Sequence, residues 1–108
     1  MSNKIDFKTV MIQARIAGSN KAKELESVTH WYPCGFASIR FSGRGNFAKY
    51  ALAEDFAYKA YQGGIAIGSG AFGYRGQSQV IAEEVCKAAK AVFEANGIKV
   101  LYVDSRID

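Results

Sequence analysis

The segment from residue 78 to residue 97, "SQVIAEEVCKAAKAVFEANG", places the strongest constraint on how this chain folds. Its apolar residues recur at every third or fourth position, which is the period of a helix with one buried face. These apolar positions are Ile81, Val85, Ala88, Ala89, Val92 and Phe93. The opposite side carries the charged residues Glu83, Glu84, Lys87, Lys90 and Glu94. Ser78 is suited to cap the start and Asn96-Gly97 the end, so we predict a helix whose apolar face needs a partner.

Three short segments have the pattern of strands that could supply that partner. "FASIRF", residues 36–41, alternates so that Phe36, Ser38 and Arg40 share one face. Ala37, Ile39 and Phe41 share the other face. "GGIAIG" and the final "IKVLYVD" are apolar runs of strand length.

Two further segments precede and separate these strands. Residues 5–16 alternate apolar and polar side chains with a slip near Thr9, which predicts an N-terminal strand with a bulge. The alanine-rich residues 46–62 predict a second helix, with Asn46 as its N-cap and Gly63 as its stop. "GAFGYR" could form a short strand joined to the preceding one by a Gly-Ser-Gly turn.

The order of these elements predicts the fold class. From residue 36 the chain runs strand, helix, strand, an optional strand, helix and strand, which is a ferredoxin-like split β-α-β order. We therefore predict an α+β fold with an antiparallel sheet, two helices on one face and an extra N-terminal strand. With 108 residues, the chain is predicted to form a single domain spanning residues 1–108.

The charge of the chain is uneven, and this points to a binding surface. Residues 1–49 carry eight Lys or Arg and three Asp or Glu, whereas residues 50–108 carry six and seven. The segment 27–53 has no acidic residue, and its bases are interleaved with aromatic rings, a composition that attracts a polyanion and offers rings for base stacking. The predicted contacts to nucleic acid or another partner in this segment are Trp31, Phe36, Arg40, Phe41, Arg44 and Lys49. Trp31 and the adjacent Tyr32 could equally lie in the core.

A glycine-rich loop, "GSGAFG", spells the dinucleotide-binding pattern G-x-G-x-x-G at Gly68, Gly70 and Gly73. That motif needs a helix to begin directly at the glycines and an acid about 20 residues on. Here the helix starts near Ser78, so we expect the glycines to shape turns and no nucleotide cofactor to bind. Arg75 lies close to the helix start and is a further candidate contact for an anion.

Other reactive residues do not form a recognisable catalytic or metal-binding pattern. Cys34 and Cys86 lack the spacing of a metal site or a disulfide framework, so both are expected to be free thiols. His30 is the only histidine, and no nucleophile or carboxylate is patterned beside it. We therefore expect no catalytic residue and no metal ion.

Two resemblances to known proteins bear on function. "GFASIRF" resembles the aromatic strand with which RNA-recognition motifs stack nucleic-acid bases. It differs in two residues, because Cys34 stands where the motif begins with a basic residue and Ser38 stands where it has a key aromatic residue. It is also the first strand of the predicted sandwich rather than the third. The alternative is an ordinary half-buried strand. With "YQGGIAI" and the ending "ANGIKVLYVDSRID", the chain over residues 36–108 also resembles a loose group of short proteins encoded by phages and prophages. That resemblance implies a mobile-element setting and transfers no catalytic residues.

These observations lead to an expectation and two alternatives. We expect a small non-enzymatic binding module that acts on nucleic acid or on a nucleoprotein machine. A protein inhibitor of a host enzyme or defence complex is the second hypothesis, and a small enzyme is the third. The start "MSNKIDFK" lacks a signal-peptide core and no apolar run is long enough to span a bilayer, so we expect a cytoplasmic protein with no membrane partner, in the host cytoplasm if it is phage-encoded. Whether it forms a homo-oligomer is open.

Overall fold

A computed structural model describes residues 6–27, 34–60 and 63–107. Within these residues the helices are α1 (Phe7–Glu26), α2 (Asn46–Ala53) and α3 (Gln79–Ala95), and a 3-10 helix covers Ser69–Phe72. The strands are β1 (Gly35–Phe41), β2 (Tyr58–Lys59), β3 (Ile65–Gly68) and β4 (Tyr102–Ile107).

The strands form one antiparallel sheet in the order β2-β3-β1-β4. From β1 onward the chain follows the order β-α-β-β-α-β, with β3 between the two strands that α2 connects. This is the split β-α-β arrangement. The prediction of an α+β fold with an antiparallel sheet is confirmed.

The predicted N-terminal strand is wrong, because residues 7–26 form the helix α1. Its buried residues are Val10, Met11, Ala14, Gly18 and Ala22, which recur at helical spacing. Ile12 and Ile16, which completed the strand-like alternation, are 51% and 55% exposed. Asp6 caps the helix by accepting hydrogen bonds from the backbone N–H and the hydroxyl of Thr9, at 3.3 and 2.8 Å. These hydrogen bonds lower the pKa of Asp6.

The second predicted helix is shorter than its alanine-rich sequence suggested. It ends at Ala53, and Asp55 adopts a positive φ of 63° that ends helical geometry. Tyr58 and Lys59 then form β2 instead of a last helical turn. Asn46 is the first helical residue rather than the cap. The cap position is occupied by Gly45, which has no side chain that could accept a hydrogen bond.

The predicted second strand of a Gly-Ser-Gly hairpin is also wrong. Residues 69–72 form the 3-10 helix, and the ring of Phe72 is completely buried. Gly18 of α1 lies so close to this segment that an added Cβ would overlap the carbonyl oxygen of Phe72. Close contact between α1 and the 3-10 helix therefore requires glycine at position 18.

The core lies between the sheet and the helices. α3 has the caps predicted for it: the Ser78 hydroxyl accepts from the Ile81 N–H at 3.2 Å, and Gly97 adopts a φ of 80°. α1 packs along α3, which lies on β1 and β4. Four phenylalanines from β1, α2, the 3-10 helix and α3 join these elements, and these are Phe41, Phe47, Phe72 and Phe93.

Val85→Asp should unfold the domain. Val85 is fully buried on the α3 face, so an aspartate there would place an unpaired charge among apolar side chains. Loss of the far-ultraviolet circular dichroism signal and of the cooperative urea transition would show this. Lys87→Ala, on the exposed side of the same helix, should change stability by less than ~0.5 kcal/mol. Native-like melting of Val85→Asp would contradict the assigned helix face.

The two thiols should differ sharply in reactivity. Cys34 is exposed, whereas Cys86 is buried, and that burial raises its pKa from 9.0 to about 12. At pH 8, iodoacetamide should add one label to the native protein, at Cys34, and a second only in urea, as mass spectrometry would report. Because the folded state favours the neutral Cys86 thiol, this thiol does not lower the free energy of unfolding below pH 9. That free energy then falls as the pH rises toward 12. Cys86→Ala should lack this component of alkaline destabilisation.

Candidate nucleic-acid interface

One face of the sheet is turned away from the main hydrophobic core. It is built from Phe36, Ser38 and Arg40 of β1, as predicted from the alternation of that strand. Residues that pair across an antiparallel sheet point to the same side. The pairings therefore add six neighbours to this side of the sheet, which are Tyr58, Ala66, Gly68, Tyr102, Asp104 and Arg106. These nine residues are called the open face below, although Ser38 and Ala66 between the larger side chains are only 3% and 0% exposed.

Three aromatic rings stand out from the open face. Phe36, Tyr58 and Tyr102 are 50%, 53% and 47% exposed. Tyr58 and Tyr102 end a row that crosses all four strands through Ala66 and Arg40, so their backbones lie ~14 Å apart at the usual strand spacing. Exposed rings on a flat sheet are surfaces on which nucleic-acid bases stack.

A charge cluster around Asp104 joins β1 to the edge strand β4 on the open face. Oδ2 of Asp104 lies 3.2 Å from Nη2 of Arg40 and 3.4 Å from Nε of Arg106. The side chains of Arg40 and Asp104 are only 13% and 23% exposed, whereas that of Arg106 is 62% exposed. Nε of Arg40 is buried and makes no hydrogen bond within the described part of the chain. Arg40 was predicted to contact a partner, and the structure places its guanidinium against a carboxylate.

A basic end adjoins the row formed by Tyr58, Arg40 and Tyr102. The loop after β1 carries Arg44, and the loop before β4 carries Lys99, so both flank the end of the sheet where Arg40 and Tyr102 pair. Arg44 and Lys99 line a pocket of about 240 Å³ whose apolar lining includes Phe7 and Phe47. Lys49 is exposed on α2, the helix that follows the loop of Arg44. We call Arg44, Lys49 and Lys99 the basic end.

The other predicted contacts differ in how they relate to this surface. Phe41 is 2% exposed, and its ring packs 5.0 Å from Phe47 and 5.1 Å from Phe93. The interpretation of Phe41 as a partner contact is therefore corrected, since β1 turns it toward the helices. Arg75 is exposed in a hollow that it shares with Arg15, Asp55 and Gly68 of the open face. Trp31, like Tyr32 and His30, falls outside the described residues.

The exposed aromatic and basic side chains of this surface that sequence analysis missed are Tyr58, Lys99, Tyr102 and Arg106. Tyr58 lay in a segment that was predicted to be helical. Tyr102 and Arg106 follow from the pairing of β1 with β4, which separates partners by more than 60 positions in the chain, and Lys99 lies in the loop before β4. The alternation of "YVDSRI" was the one available signal, because it puts Tyr102, Asp104 and Arg106 on one side.

The glycine-rich loop has a structural explanation. Gly73 adopts a φ of 89°, and an added Cβ would overlap the Ser19 hydroxyl of α1. This glycine thus turns the chain out of the 3-10 helix against α1. Within residues 6–27, 34–60 and 63–107, no three His, Cys, Asp or Glu side chains group as a metal site would require. None of the described helices combines the length and apolar character needed to cross a bilayer.

Comparison with protein-family models, with curated proteins and with solved structures gave no match for this chain. Its function is accordingly inferred from the chemistry of the open face and the basic end.

Asp104→Asn should lower the free energy of unfolding by about 1 to 3 kcal/mol, because the partly buried Arg40 would keep its charge and lose its counter-ion. Urea denaturation would measure the loss. Arg106→Gln is the matched control, since its exposed pair with the same carboxylate should contribute no more than about 1 kcal/mol. Equal losses for the two variants would contradict the view that Arg40 holds Asp104 in place.

Proposed function

We propose that this chain binds single-stranded nucleic acid without catalysing a reaction on it, with bases on the open face and phosphates at the basic end. The observation that carries the proposal is the combination of three exposed rings on one sheet face with two exposed cations, Arg44 and Lys99, in the loops at one end of that sheet. Rings attract bases through stacking, and cations attract phosphates. The protein would be encoded by a mobile element and would act on nucleic acid or on a nucleoprotein machine.

The geometry favours single strands over a duplex. Stacking on a protein ring requires a base whose face is free, and the bases of a duplex are already stacked on each other. The open face is a sheet surface with separated rings rather than a helix that could enter a groove. Each ring that takes up a base should contribute ~1 to 3 kcal/mol, with little sequence preference.

The charge distribution supports phosphate contacts at the basic end rather than at the charge cluster around Asp104. Arg40 and Arg106 already share the carboxylate of Asp104. No acidic residue occurs between positions 27 and 53, so Arg44 and Lys49 have no counter-ion nearby in sequence. The phosphate backbone is therefore expected to follow the loops after β1 and before β4.

Binding should weaken with salt in proportion to the phosphates contacted. Three contacts from Arg44, Lys49 and Lys99 predict a slope of roughly −2 for log affinity against log salt on a single strand. Fluorescence anisotropy with a labelled random oligonucleotide would measure it. Arg44→Glu combined with Lys49→Glu should abolish binding.

The matched control is Lys87→Glu combined with Lys90→Glu. It changes charge equally, but Lys87 lies 3.8 and 3.5 Å from Glu83 and Glu84, so this surface is locally neutralised. The control should weaken binding only slightly.

Tyr58→Ala and Tyr102→Ala should each reduce affinity while leaving the slope of log affinity against log salt nearly unchanged. Equal losses of affinity in the two double variants would mean that only net charge matters. If no binding were measured at low salt, the partner would instead be a protein, such as an inhibited host enzyme.

A further inference from the structure

The outer edge of β4 is a regular strand edge six residues long. Two hydrogen bonds show which of its backbone groups point outward. The carbonyl of Arg40 accepts from the N–H of Leu101 at 2.9 Å, so Arg40 directs its backbone toward β4. Gly35 donates to the carbonyl of Gln77 at 2.8 Å, on the side of β1 away from β4. The backbone groups of β1 thus alternate, with even-numbered residues facing β4.

The partners of those even-numbered residues are Tyr102, Asp104 and Arg106, whose backbone groups therefore bond to β1. The remaining residues of the strand, Val103, Ser105 and Ile107, direct their N–H and C=O groups away from the sheet. Among the described residues no strand pairs with this side of β4. Natural sheets commonly protect such an edge with proline, a bulge or lysine, and residues 102–107 contain no proline or lysine and pair with β1 in unbroken register.

We propose that a second copy of this chain pairs with that edge, antiparallel and about a two-fold axis, with Ser105 opposite the partner's Ser105. In this register the outward groups of Ser105 bond to those of the partner's Ser105. Val103 bonds to the partner's Ile107, and Ile107 to the partner's Val103. All six outward backbone groups of the strand are then satisfied.

Charge complementarity selects this register. It puts Asp104 opposite the partner's Arg106, and Arg106 opposite the partner's Asp104, in the closely spaced type of pair where side chains contact best. If the axis is moved by one residue, outward backbone groups still face outward backbone groups of the partner, but two side chains of like charge then meet at the axis. An axis at Asp104 opposes two carboxylates, and an axis at Arg106 opposes two guanidinium groups. Only the axis at Ser105 pairs every charge of the strand with its opposite.

The other side of the strand offers apolar contact in the same register. The side chains of Val103 and Ile107 lie on the helix side, and Ile107 is 65% exposed. In the dimer, Val103 would pack against the partner's Ile107, and Ile107 against the partner's Val103. Ser105 needs no new side-chain partner, since its hydroxyl already accepts from Gln79 at 2.9 Å and donates to Glu83 at 2.8 Å. Pairing would join two four-stranded sheets into one of eight strands, with the two open faces side by side.

Sedimentation equilibrium of the full chain, from about 10 µM to about 1 mM, tests the association over the range expected of a small interface. The expected result is a twofold rise in mass with concentration. Arg106→Asp should remain monomeric throughout, because it opposes Asp104 with a second carboxylate. A monomeric wild-type protein at every concentration would overturn the proposal.

A mixture of two variants tests the register. Asp104→Arg and Arg106→Asp should each be monomeric alone, and an equimolar mixture should form a heterodimer because every opposed pair is then of opposite charge. Circular dichroism would first show whether Asp104→Arg, which removes the counter-ion of Arg40, is folded. Self-association of Arg106→Asp equal to that of wild type would rule out this register.

Amide hydrogen exchange of the wild-type protein requires no variant and separates this edge from any other interface. In the monomer the amides of Asp104 and Arg106 should be protected, while those of Val103, Ser105 and Ile107 exchange freely. At high concentration the latter three should slow by about tenfold or more. A dimer in which these three amides stay unprotected would place the interface elsewhere and overturn the proposal. Nucleic acid is absent from all these measurements, so their outcome is independent of the proposed function.

Discussion

The ring of Phe93 is the contact on which the rest of the structure depends. It lies completely buried on α3 and meets the rings of Phe41, Phe47 and Phe72 at 5.1, 5.4 and 5.8 Å, each in an edge-to-face arrangement. Those three rings belong to β1, α2 and the 3-10 helix. One side chain therefore joins the helix with the strongest sequence pattern to three other elements. Because β1 turns Phe41 inward to reach it, the same strand must turn Phe36 and Arg40 outward, and the open face follows from the core.

The elements that sequence analysis predicted well are those that carry their own signal. α3 has caps at both ends and an uninterrupted apolar stripe, and β1 has strict alternation, so neither needs information from distant residues. The N-terminal segment was misassigned because its residues satisfy two periods at once. Val10, Met11 and Ala14 fit a helix, whereas Ile12 and Ile16 completed a strand. Contact with α3 and with Phe72 decides between the two periods, and that contact is not visible in the local sequence.

The same distinction applies to the candidate interface. Composition alone identified the acid-free segment, so Phe36, Arg44 and Lys49 were predicted and lie exposed. Composition could not show that Phe41 faces inward despite belonging to the same segment, although the alternation of the strand already separated it from Phe36. Tyr58, Tyr102 and Arg106 join the surface only through strand pairing, and such non-local pairing cannot be deduced from a local pattern. The sequence thus located the basic half of the surface, and the sheet register supplied most of the aromatic half.

Arg106 belongs to both surfaces and links the two proposals physically. In one chain it shares Asp104 with Arg40, which leaves one carboxylate between two guanidinium groups. In the paired edge each Asp104 would keep its own Arg40 and receive the partner's Arg106 in place of its own, so the number of cations around each carboxylate is unchanged. Association would therefore exchange one exposed ion pair for another, and the net stabilisation would come from backbone hydrogen bonds and from the burial of Val103 and Ile107. Such an interface is small, so its strength should depend on what else holds two chains close together. A nucleic-acid strand long enough to cross both open faces would do so, since the second contact along one strand forms at a high effective concentration.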